Sequence, residues 1–264
     1  MSGRVLIIAG SDSGGGAGIQ ADIKTVTVLQ GYAATAVTAV TVQNTLGVFG
    51  VHSLPAALVR AQADAVLGDI GADVIKTGML GDAGIVETVV DILQAYGLPA
   101  VVDPVMVAKD GSSLIDAGAL DALRRLLVPR ARLLTPNAPE AERLLGRPVR
   151  APEDLEPAGR ALLALGAAAV LMKGGHLPGG MVTDVLVTPG GVRRFTSKRL
   201  ETRHTHGTGC TLASACAVLL ARGLDLEAAV TGARDYVQGA LRAAPGLGAG
   251  AGPLGHGWLL TKPT

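Results

Sequence analysis

The sequence predicts an α/β fold in which helices cover both faces of a mainly parallel sheet. Short apolar runs alternate along the chain with longer segments of helical period, which is the pattern of consecutive βαβ units. Of the 264 residues, 48% are hydrophobic but only 2% are aromatic, so the core must be built from Ala, Val, Leu and Ile. No repeat or linker divides the chain, and we expect one three-layer domain over residues 1–264.

The predicted strands are short runs rich in Val, Ile, Leu, Thr and Ala. Strands of the parallel sheet are predicted at 5–9, 33–42, 74–77, 100–103, 133–135 and 168–172. Two later runs, 182–187 and 192–196, are separated by the turn sequence TPGG and predict an antiparallel hairpin.

The predicted helices occupy the segments between these strands. They are expected at 19–30, from Pro55 onward after a cap at Ser53, at 82–96, 116–128, 139–145 and 155–165, and from near Gly209 and near Asp225. The segment 82–96 is the clearest, because Asp82 can cap its start and Gly97 follows its end.

The composition excludes several classes of protein. The formal net charge is +1 and there is no basic run, which argues against nucleic acid or an anionic membrane surface as a partner. The first apolar run is too short for a signal peptide, and polar residues interrupt the charge-free stretch 25–59, so no membrane segment is expected. Cys210 and Cys216 are the only cysteines, which excludes a disulfide scaffold and favours a reducing, cytoplasmic location.

The sequence HTHGTGCTLASACAVLL at 204–220 predicts an anion site at the start of a buried helix. Gly207 and Gly209, with Thr208 between them, leave the first backbone N–H groups open at the positive end of the helix dipole. Cys210 falls in the first turn, where a thiol is expected to lose its proton more readily. This combination suits chemistry on a phosphate or an acyl group, and a helix start without function is the alternative.

A second glycine-rich segment, GSDSGGGAGIQAD at 10–22, follows the first predicted strand. It is not a Walker A loop because no Gly-Lys-Ser/Thr follows, although it fits the relaxed dinucleotide pattern GxGxxA. The acidic residue that this pattern requires at the end of the second strand is absent, since residues 41–44 are TVQN. The remaining interpretations are a close approach of the backbone to a ligand and a plain tight turn.

Polar residues near the ends of the first two strands indicate a ligand pocket. Asp12 and Asp22 border the glycine-rich segment, and Gln43 and Asn44 end the neighbouring strand. Ligands bind at the carboxyl ends of parallel strands, and an amide that donates and accepts suits a heterocyclic base. The alternative is that Gln43 and Asn44 only cap a turn.

Three later motifs suit magnesium and phosphate. Asp103 ends a strand ahead of a long loop that contains KDG, Asn137 and Glu140 lie three apart at a helix start, and Lys173 ends an apolar strand. Such oxygen donors can hold Mg²⁺ through water, and the lysine can neutralise a nucleotide phosphate. The alternatives are a turn, a capping box and a lysine that reaches the surface.

His204, His206 and Cys210 admit two further interpretations, as metal ligands or as a Cys–His nucleophile pair. The metal interpretation lacks a fourth ligand and a reliable spacing. A thiol-dependent acyl-transferase would explain Cys210 and the anion site, but it leaves Lys173 and the segment 10–22 unexplained.

The most specific signal is a set of seven motifs in a fixed order: GSDSGGGAGIQADIK, TAVTVQNT, KTGML, DPVMVAKDG, LLTPNAPEAERL, LMKGGH and HTHGTGCTLASA. In this order they resemble bacterial hydroxymethylpyrimidine/phosphomethylpyrimidine kinases of thiamine biosynthesis, which belong to the ribokinase-like superfamily. The resemblance covers residues 5–241 and implies a three-layer α/β/α ribokinase-like fold and a homodimer. It also implies phosphorylation by ATP and Mg²⁺ of 4-amino-5-hydroxymethyl-2-methylpyrimidine and then of its monophosphate.

Cysteine at position 210 favours the pyrimidine branch of this superfamily, because many of its sugar kinases and pyridoxal kinases carry aspartate there. A pyridoxine or pyridoxal kinase is the alternative.

The resemblance further implies roles for individual residues. The pyrimidine pocket is implied for Gly10, Asp22, Gln43, Met79 and Val105. Nucleotide contacts are implied for Asn137, Glu140, Lys173 and Arg234, and magnesium contacts for Glu140 and Asp103. The anion hole is implied for Gly207, Thr208 and Gly209, with Cys210 beside the transferred phosphate. Arg234 replaces a lysine of the family's late helix, and the glycine-rich tail lacks the Lys and His of many members, so the tail is assigned no role.

Overall fold

The computed structural model describes residues 3–107 and 114–260, and within these residues nine strands form a single sheet. The strands are β1 (Arg4–Ser11), β2 (Tyr32–Asn44), β3 (Gly47–Ser53), β4 (Val74–Thr77), β5 (Ala100–Val102), β6 (Ala131–Leu134), β7 (Val170–Met172), β8 (Met181–Thr188) and β9 (Gly191–Lys198). Their order across the sheet is β3-β2-β1-β4-β5-β6-β7-β8-β9.

The centre of the sheet is parallel and its edges are antiparallel. Strands β2, β1, β4, β5, β6 and β7 pair in parallel, while β3 pairs antiparallel with β2 at one edge. The hairpin β8–β9 continues antiparallel from β7 at the other edge. The carboxyl ends of the parallel strands therefore lie along one edge of the sheet, where α/β folds bind their ligands.

Helices pack on both faces of the sheet, which confirms the predicted three layers. They are α1 (Gly18–Val28), α2 (Ala56–Asp69), α3 (Ala83–Tyr96), α4 (Ala117–Ala122), α5 (Ala138–Leu145), α6 (Leu155–Ala164), α7 (Thr208–Ala221) and α8 (Leu226–Arg242). Side chains of α1, α7 and α8 form the core on one face, and those of α2 to α6 form the core on the other. No helix in the described residues is long and apolar enough to span a bilayer.

Most predicted elements are confirmed, and three local expectations are wrong. No strand was predicted between residues 42 and 74, where the structure has β3. Ser53 does not cap α2, because it is the last residue of β3 and the helix begins after Pro55 without a side-chain cap. The segment predicted as one helix at 116–128 divides into α4, a π-helical turn at Leu123–Leu127 and a 3₁₀ turn at Val128–Arg130, which carries the proline.

A buried ion pair lies where α1, β4 and α7 meet. Lys76 Nζ is 2.9 Å and 2.8 Å from the two carboxylate oxygens of Asp22, and Ser214 Oγ donates to one of those oxygens at 2.7 Å. Both charged side chains are fully buried. Because breaking such a pair leaves an uncompensated charge at a cost of about 3–5 kcal/mol, the contact specifies how α1 and α7 pack over β4.

Candidate active site

A cavity of about 680 Å³ opens at the carboxyl ends of the parallel strands. This volume is in the range of small-molecule sites. Thirteen of the candidate site residues line it: Gly10, Gln43, Met79, Asp103, Val105, Asn137, Glu140, Lys173, Gly207, Thr208, Gly209, Cys210 and Arg234. The fold therefore brings together residues that lie more than two hundred positions apart in the chain. The KDG sequence at 109–111 lies outside the described residues.

Asp22 is the exception, and its expected place on the wall of the pyrimidine pocket is wrong. Its side chain is fully buried in the ion pair with Lys76, so it has no surface to offer a ligand. The reason is the orientation of α1, which turns this position toward β4 rather than toward the cavity. Asp22 therefore fixes the packing of α1 on β4 and does not itself line the cavity.

The start of α7 has the backbone geometry that the predicted anion site requires. Gly207 precedes the helix with a φ of +84°, and a Cβ there would overlap the carbonyl oxygen of Gly16, so only glycine fits. The first amides of the helix have no intrahelical partner and lie at the positive end of its dipole. Lys173 Nζ lies beside them, since a Cβ on Gly209 would come within 3.3 Å of it. Backbone dipoles and an ammonium group thus converge on one point.

The pKa of the Cys210 thiol is shifted in the direction opposite to the one that the sequence predicts. Burial raises the pKa of this thiol to about 12, although the nearby Lys76 ammonium acts in the opposite direction. Loss of hydration thus outweighs the helix start, which was expected to favour the thiolate. The group is a neutral S–H at neutral pH, which argues against Cys210 as the nucleophile of an acyl-transferase.

Lys173 lies between two acidic side chains. Its Nζ is 2.8 Å from Asp103 Oδ1 and 3.7 Å from Glu140 Oε2. The two carboxylates raise the pKa of Lys173 against the effect of burial, so the ammonium remains charged. Burial, partly offset by Lys173, raises the pKa of Glu140 to about 7. The cluster of Asp103, Glu140 and Lys173 therefore contains two carboxyl groups and one ammonium group beside the start of α7.

Asn137 and Glu140 form the capping box, which is one of the two interpretations that the sequence left open. Asn137 Oδ1 accepts from the Glu140 backbone N–H at 2.9 Å, and Glu140 Oε2 accepts from the Asn137 N–H at 2.8 Å, so the capping box is present. Both residues also line the cavity. The cap fixes the Glu140 carboxylate where it faces Lys173.

The structure offers no separate metal centre. Among the described residues, no group of three or more His, Cys, Asp or Glu side chains could hold a metal ion. His204, His206 and Cys210 do not form such a group, so the interpretation of the histidine motif as a metal site is wrong, and His206 Nε2 instead lies 2.8 Å from Asp12. The Asp103 and Glu140 carboxylates nevertheless fit Mg²⁺, which proteins usually bind through one or two carboxylates together with substrate phosphates.

The glycine-rich loop after β1 is held by Asp12. Its carboxylate accepts from the backbone N–H groups of Gly14 at 2.8 Å, Gly16 at 3.0 Å and Ala17 at 2.8 Å. His206 Nε2 lies 2.8 Å from the same carboxylate. Although burial opposes the change, these contacts lower the pKa of Asp12, so it remains ionised. The loop is therefore a rigid wall of the cavity.

Comparison with known families decides what this arrangement belongs to. Residues 12–255 match the family described as phosphomethylpyrimidine kinase. The chain belongs to this family. It is therefore a phosphotransferase, and the acyl-transferase alternative is set aside.

Individual relatives agree with the family match. The chain is 51% identical over 255 residues to a thiamine biosynthesis bifunctional protein of Geobacter sulfurreducens, a match that covers 96% of this chain and 52% of the relative. This chain thus spans about half the length of that protein. It is 49% identical over 256 residues to a hydroxymethylpyrimidine/phosphomethylpyrimidine kinase of Streptomyces coelicolor, with 97% and 95% of the two chains covered.

A solved structure confirms the ribokinase-like fold. The ADP complex of Bacillus subtilis pyridoxal kinase superposes with a TM-score of 0.92 at 34% identity, and the match covers 99% of this chain and 100% of that one.

Two arginines of this phosphomethylpyrimidine kinase family member hold the cavity wall. Arg234 Nε donates to Asp184 Oδ2 at 2.8 Å, and Asp184 Oδ1 accepts from the Gly174 N–H at 2.8 Å. Arg199, which was not among the predicted site residues, donates to the carbonyl oxygens of Gly175 at 2.9 Å and of Gly179 at 2.7 Å. Only the folded hairpin brings Arg199 to this wall, so no local sequence signal identifies it.

The raised pKa of Cys210 has a kinetic consequence. In the native protein, alkylation of Cys210 by iodoacetamide should rise about tenfold per pH unit from pH 7 to pH 10 without a plateau, because the thiolate fraction keeps rising below the pKa. The measurement is the mass-spectrometric yield of the modified Cys210 peptide. The same thiol in urea is the control and should level off above about pH 9. A plateau in the native protein below pH 10 would show that the thiol ionises in that range.

Proposed function

We propose that this chain transfers the γ-phosphoryl group of ATP, with Mg²⁺, to 4-amino-5-hydroxymethyl-2-methylpyrimidine and then to its monophosphate, in thiamine biosynthesis. The observation that carries the proposal is a single cavity with one part suited to a phosphate and another part suited to a heterocycle. The first is formed by Gly207 to Cys210 with Lys173, and the second by Gly10, Gln43, Met79 and Val105. Family membership and the names of the relatives support the same reaction.

Phosphoryl transfer needs mostly positioning and charge stabilisation, because its transition state is loose and asks little covalent chemistry of the protein. The amides of Gly209 and Cys210 would hold the γ-phosphoryl oxygens, and Lys173 would neutralise further charge. Asn137 and Arg234 line the same cavity and would contact the nucleotide. These donors belong to a helix start and a buried ion cluster, so they need no reorganisation when charge develops.

Asp103 and Glu140 are the residues that would hold Mg²⁺. Their carboxylates lie on either side of Lys173, and the pKa of Glu140, about 7, leaves this group partly protonated until a second cation arrives. When bound, the metal would supply neutralisation of the β- and γ-phosphate oxygens. Two carboxylates beside a single ammonium group leave room in this cluster for a second cation, which supports the assignment.

Cys210 lies in the first turn of α7 and lines the cavity, where the acceptor hydroxyl would approach the γ-phosphoryl group. Its thiol is neutral, so its role is to orient the substrate hydroxyl and its proton rather than to act as a preformed thiolate base. A loose transition state requires little deprotonation of the acceptor in advance. Burial of the thiol and the chemistry of the reaction are therefore compatible.

The lining of the acceptor pocket combines apolar side chains with one amide, which suits a small heterocycle. Met79 covers Gly10 so closely that a Cβ on Gly10 would come within 2.8 Å of the Met79 Cε. Val105 adds a second apolar wall, and Gln43 offers an amide that can donate and accept. An aminopyrimidine ring presents both an acceptor nitrogen and a donor amine to such an amide.

The reaction is tested by ADP release coupled to a spectrophotometric assay. We expect release with hydroxymethylpyrimidine and with its monophosphate only when Mg²⁺ is present, and much weaker release with pyridoxal. Cys210→Ala should lower kcat by about 100-fold with little change in ATP affinity, because it removes the contact that orients the acceptor hydroxyl. Equal turnover of pyridoxal would favour the alternative kinase, and an unchanged kcat would remove Cys210 from the mechanism.

The proposal includes a homodimer in the cytoplasm. The β2–β3 hairpin exposes several large apolar side chains, of which Val42 is 64% and Phe49 66% exposed, and such a concentration marks an interaction surface. Both cysteines are free, as expected in a reducing compartment.

Dimerisation is measured by light scattering after size exclusion. We expect twice the mass of one chain for the unaltered protein and for Leu58→Glu on α2, and the mass of one chain for Phe49→Glu. A dimer that survives Phe49→Glu would place the contact elsewhere.

A further inference from the structure

The glycine-rich segment 245–256, which the sequence motifs left without a role, returns from α8 to the active site. We call it the C-terminal strap. Its Gly252 carbonyl oxygen accepts from the His206 N–H at 3.1 Å, and its Ala251 N–H donates to the Thr45 carbonyl oxygen at 2.9 Å. The strap therefore joins the residue before the anion site to the segment that follows the pyrimidine pocket on β2.

Close packing accounts for the glycines of the strap. A Cβ on Gly250 would overlap the Thr45 carbonyl oxygen, and a Cβ on Gly252 would overlap the His204 ring. Gly257, one residue beyond the strap, is different, because a Cβ there would meet nothing within 4 Å. Substitution at Gly250 must therefore displace the strap, whereas substitution at Gly257 need not.

His206 is the point where the strap meets the substrate pockets. Its Nε2 lies 2.8 Å from Asp12 Oδ2 and 3.3 Å from the side-chain amide of Gln43. A Cβ on Gly16 would come within 2.5 Å of the His206 ring. His206 is buried, and Gly207 of the anion site follows it directly. One ring thus contacts the glycine-rich loop and the Gln43 side chain.

The Asp12 carboxylate decides which way the Gln43 amide faces. An ionised carboxylate can only accept, so His206 Nε2 must carry a proton and donate it to Asp12. That nitrogen then has no lone pair for an amide N–H, and the Gln43 amide is matched to it by its oxygen. This assignment exchanges the Gln43 Oε1 and Nε2 positions of the structure, which the hydrogen-bond partners decide. The amide nitrogen then faces Thr41 Oγ1 at 3.2 Å, and the Thr41 hydroxyl donates to the Ser11 carbonyl oxygen at 2.9 Å.

We propose that His206, held by the C-terminal strap, is a positioning residue that determines acceptor specificity by fixing the orientation of the Gln43 amide. The inference rests on the proposed function, because Gln43 is assigned there to the pyrimidine. An amide that could rotate freely would offer donor and acceptor atoms in either order and discriminate poorly between rings. His206 acts through Gln43 and is not itself a catalytic residue.

A double-mutant cycle on His206→Ala and Gln43→Ala tests this coupling. We expect His206→Ala alone to raise the KM for hydroxymethylpyrimidine about tenfold with the KM for ATP unchanged. In the Gln43→Ala background the same substitution should add less than about twofold, because the side chain it orients is gone. Additive effects, or an equal rise in the KM for ATP, would overturn the proposal.

Two matched pairs of variants separate positioning from general damage. Gly250→Ala should raise the pyrimidine KM in the same direction as His206→Ala, whereas Gly257→Ala should leave it unchanged. His52→Ala, which removes an exposed histidine of β3, should also leave it unchanged. A pyrimidine KM that is unaltered in Gly250→Ala would remove the strap from the account.

Failure of the proposed function is recognised separately, because the unaltered protein would then release no ADP with either pyrimidine. In that case hydrogen exchange still tests His206. The backbone amides of Gly14, Gly16 and Ala17 bond to Asp12, and we expect them to exchange about tenfold faster in His206→Ala than in His52→Ala. Equal exchange in the two variants would overturn the positioning role whatever the substrate is.

Discussion

The active site depends on one close contact between the backbones of Gly16 and Gly207. No side chain fits at Gly207, where the backbone is left-handed and a Cβ would overlap the Gly16 carbonyl. This contact sets the glycine-rich loop against the start of α7, so the acceptor pocket and the anion site share one wall. The contact between Asp12 and His206 joins the same loop to the residue before Gly207, and the buried ion pair fixes α1, which follows the loop, on β4. A kinase needs this adjacency because its chemistry is mostly positioning.

Burial has opposite consequences for the two ionisable groups beside the anion site. Lys173 stays charged because Asp103 and Glu140 compensate for its lost hydration, while the nearby Lys76 ammonium only partly offsets the effect of burial on Cys210, whose thiol stays neutral. The local sequence of a helix start suggested a thiolate, but desolvation is a property of the whole fold. The site thus combines a charged ammonium group with a neutral thiol, which suits a phosphate and leaves no competing negative charge where we propose that the acceptor binds.

Features that a few neighbouring residues encode were predictable from the sequence, whereas the packing of elements against one another was not. Helix α3 was located correctly because its caps are encoded within a few residues, whereas β3 was missed because its apolar residues are exposed and lack an alternating pattern. Most of the candidate residues that the seven motifs identify line one cavity in the structure. Asp22 was misplaced because the sequence puts α1 near the pocket without fixing which face turns inward. Asn137 and Glu140 were ambiguous because one geometry serves both the cap and the cluster.

The central claim is that phosphoryl transfer occurs where Gly16 meets Gly207, and single-turnover transfer from γ-labelled ATP to hydroxymethylpyrimidine tests it most directly. Gly207→Ala should keep a cooperative thermal transition but transfer at least about 100-fold more slowly, because the added Cβ separates the loop from the anion site. Gly68→Ala, whose Cβ meets open space on α2, should transfer at the unaltered rate. Equal rates in the two variants would contradict the account.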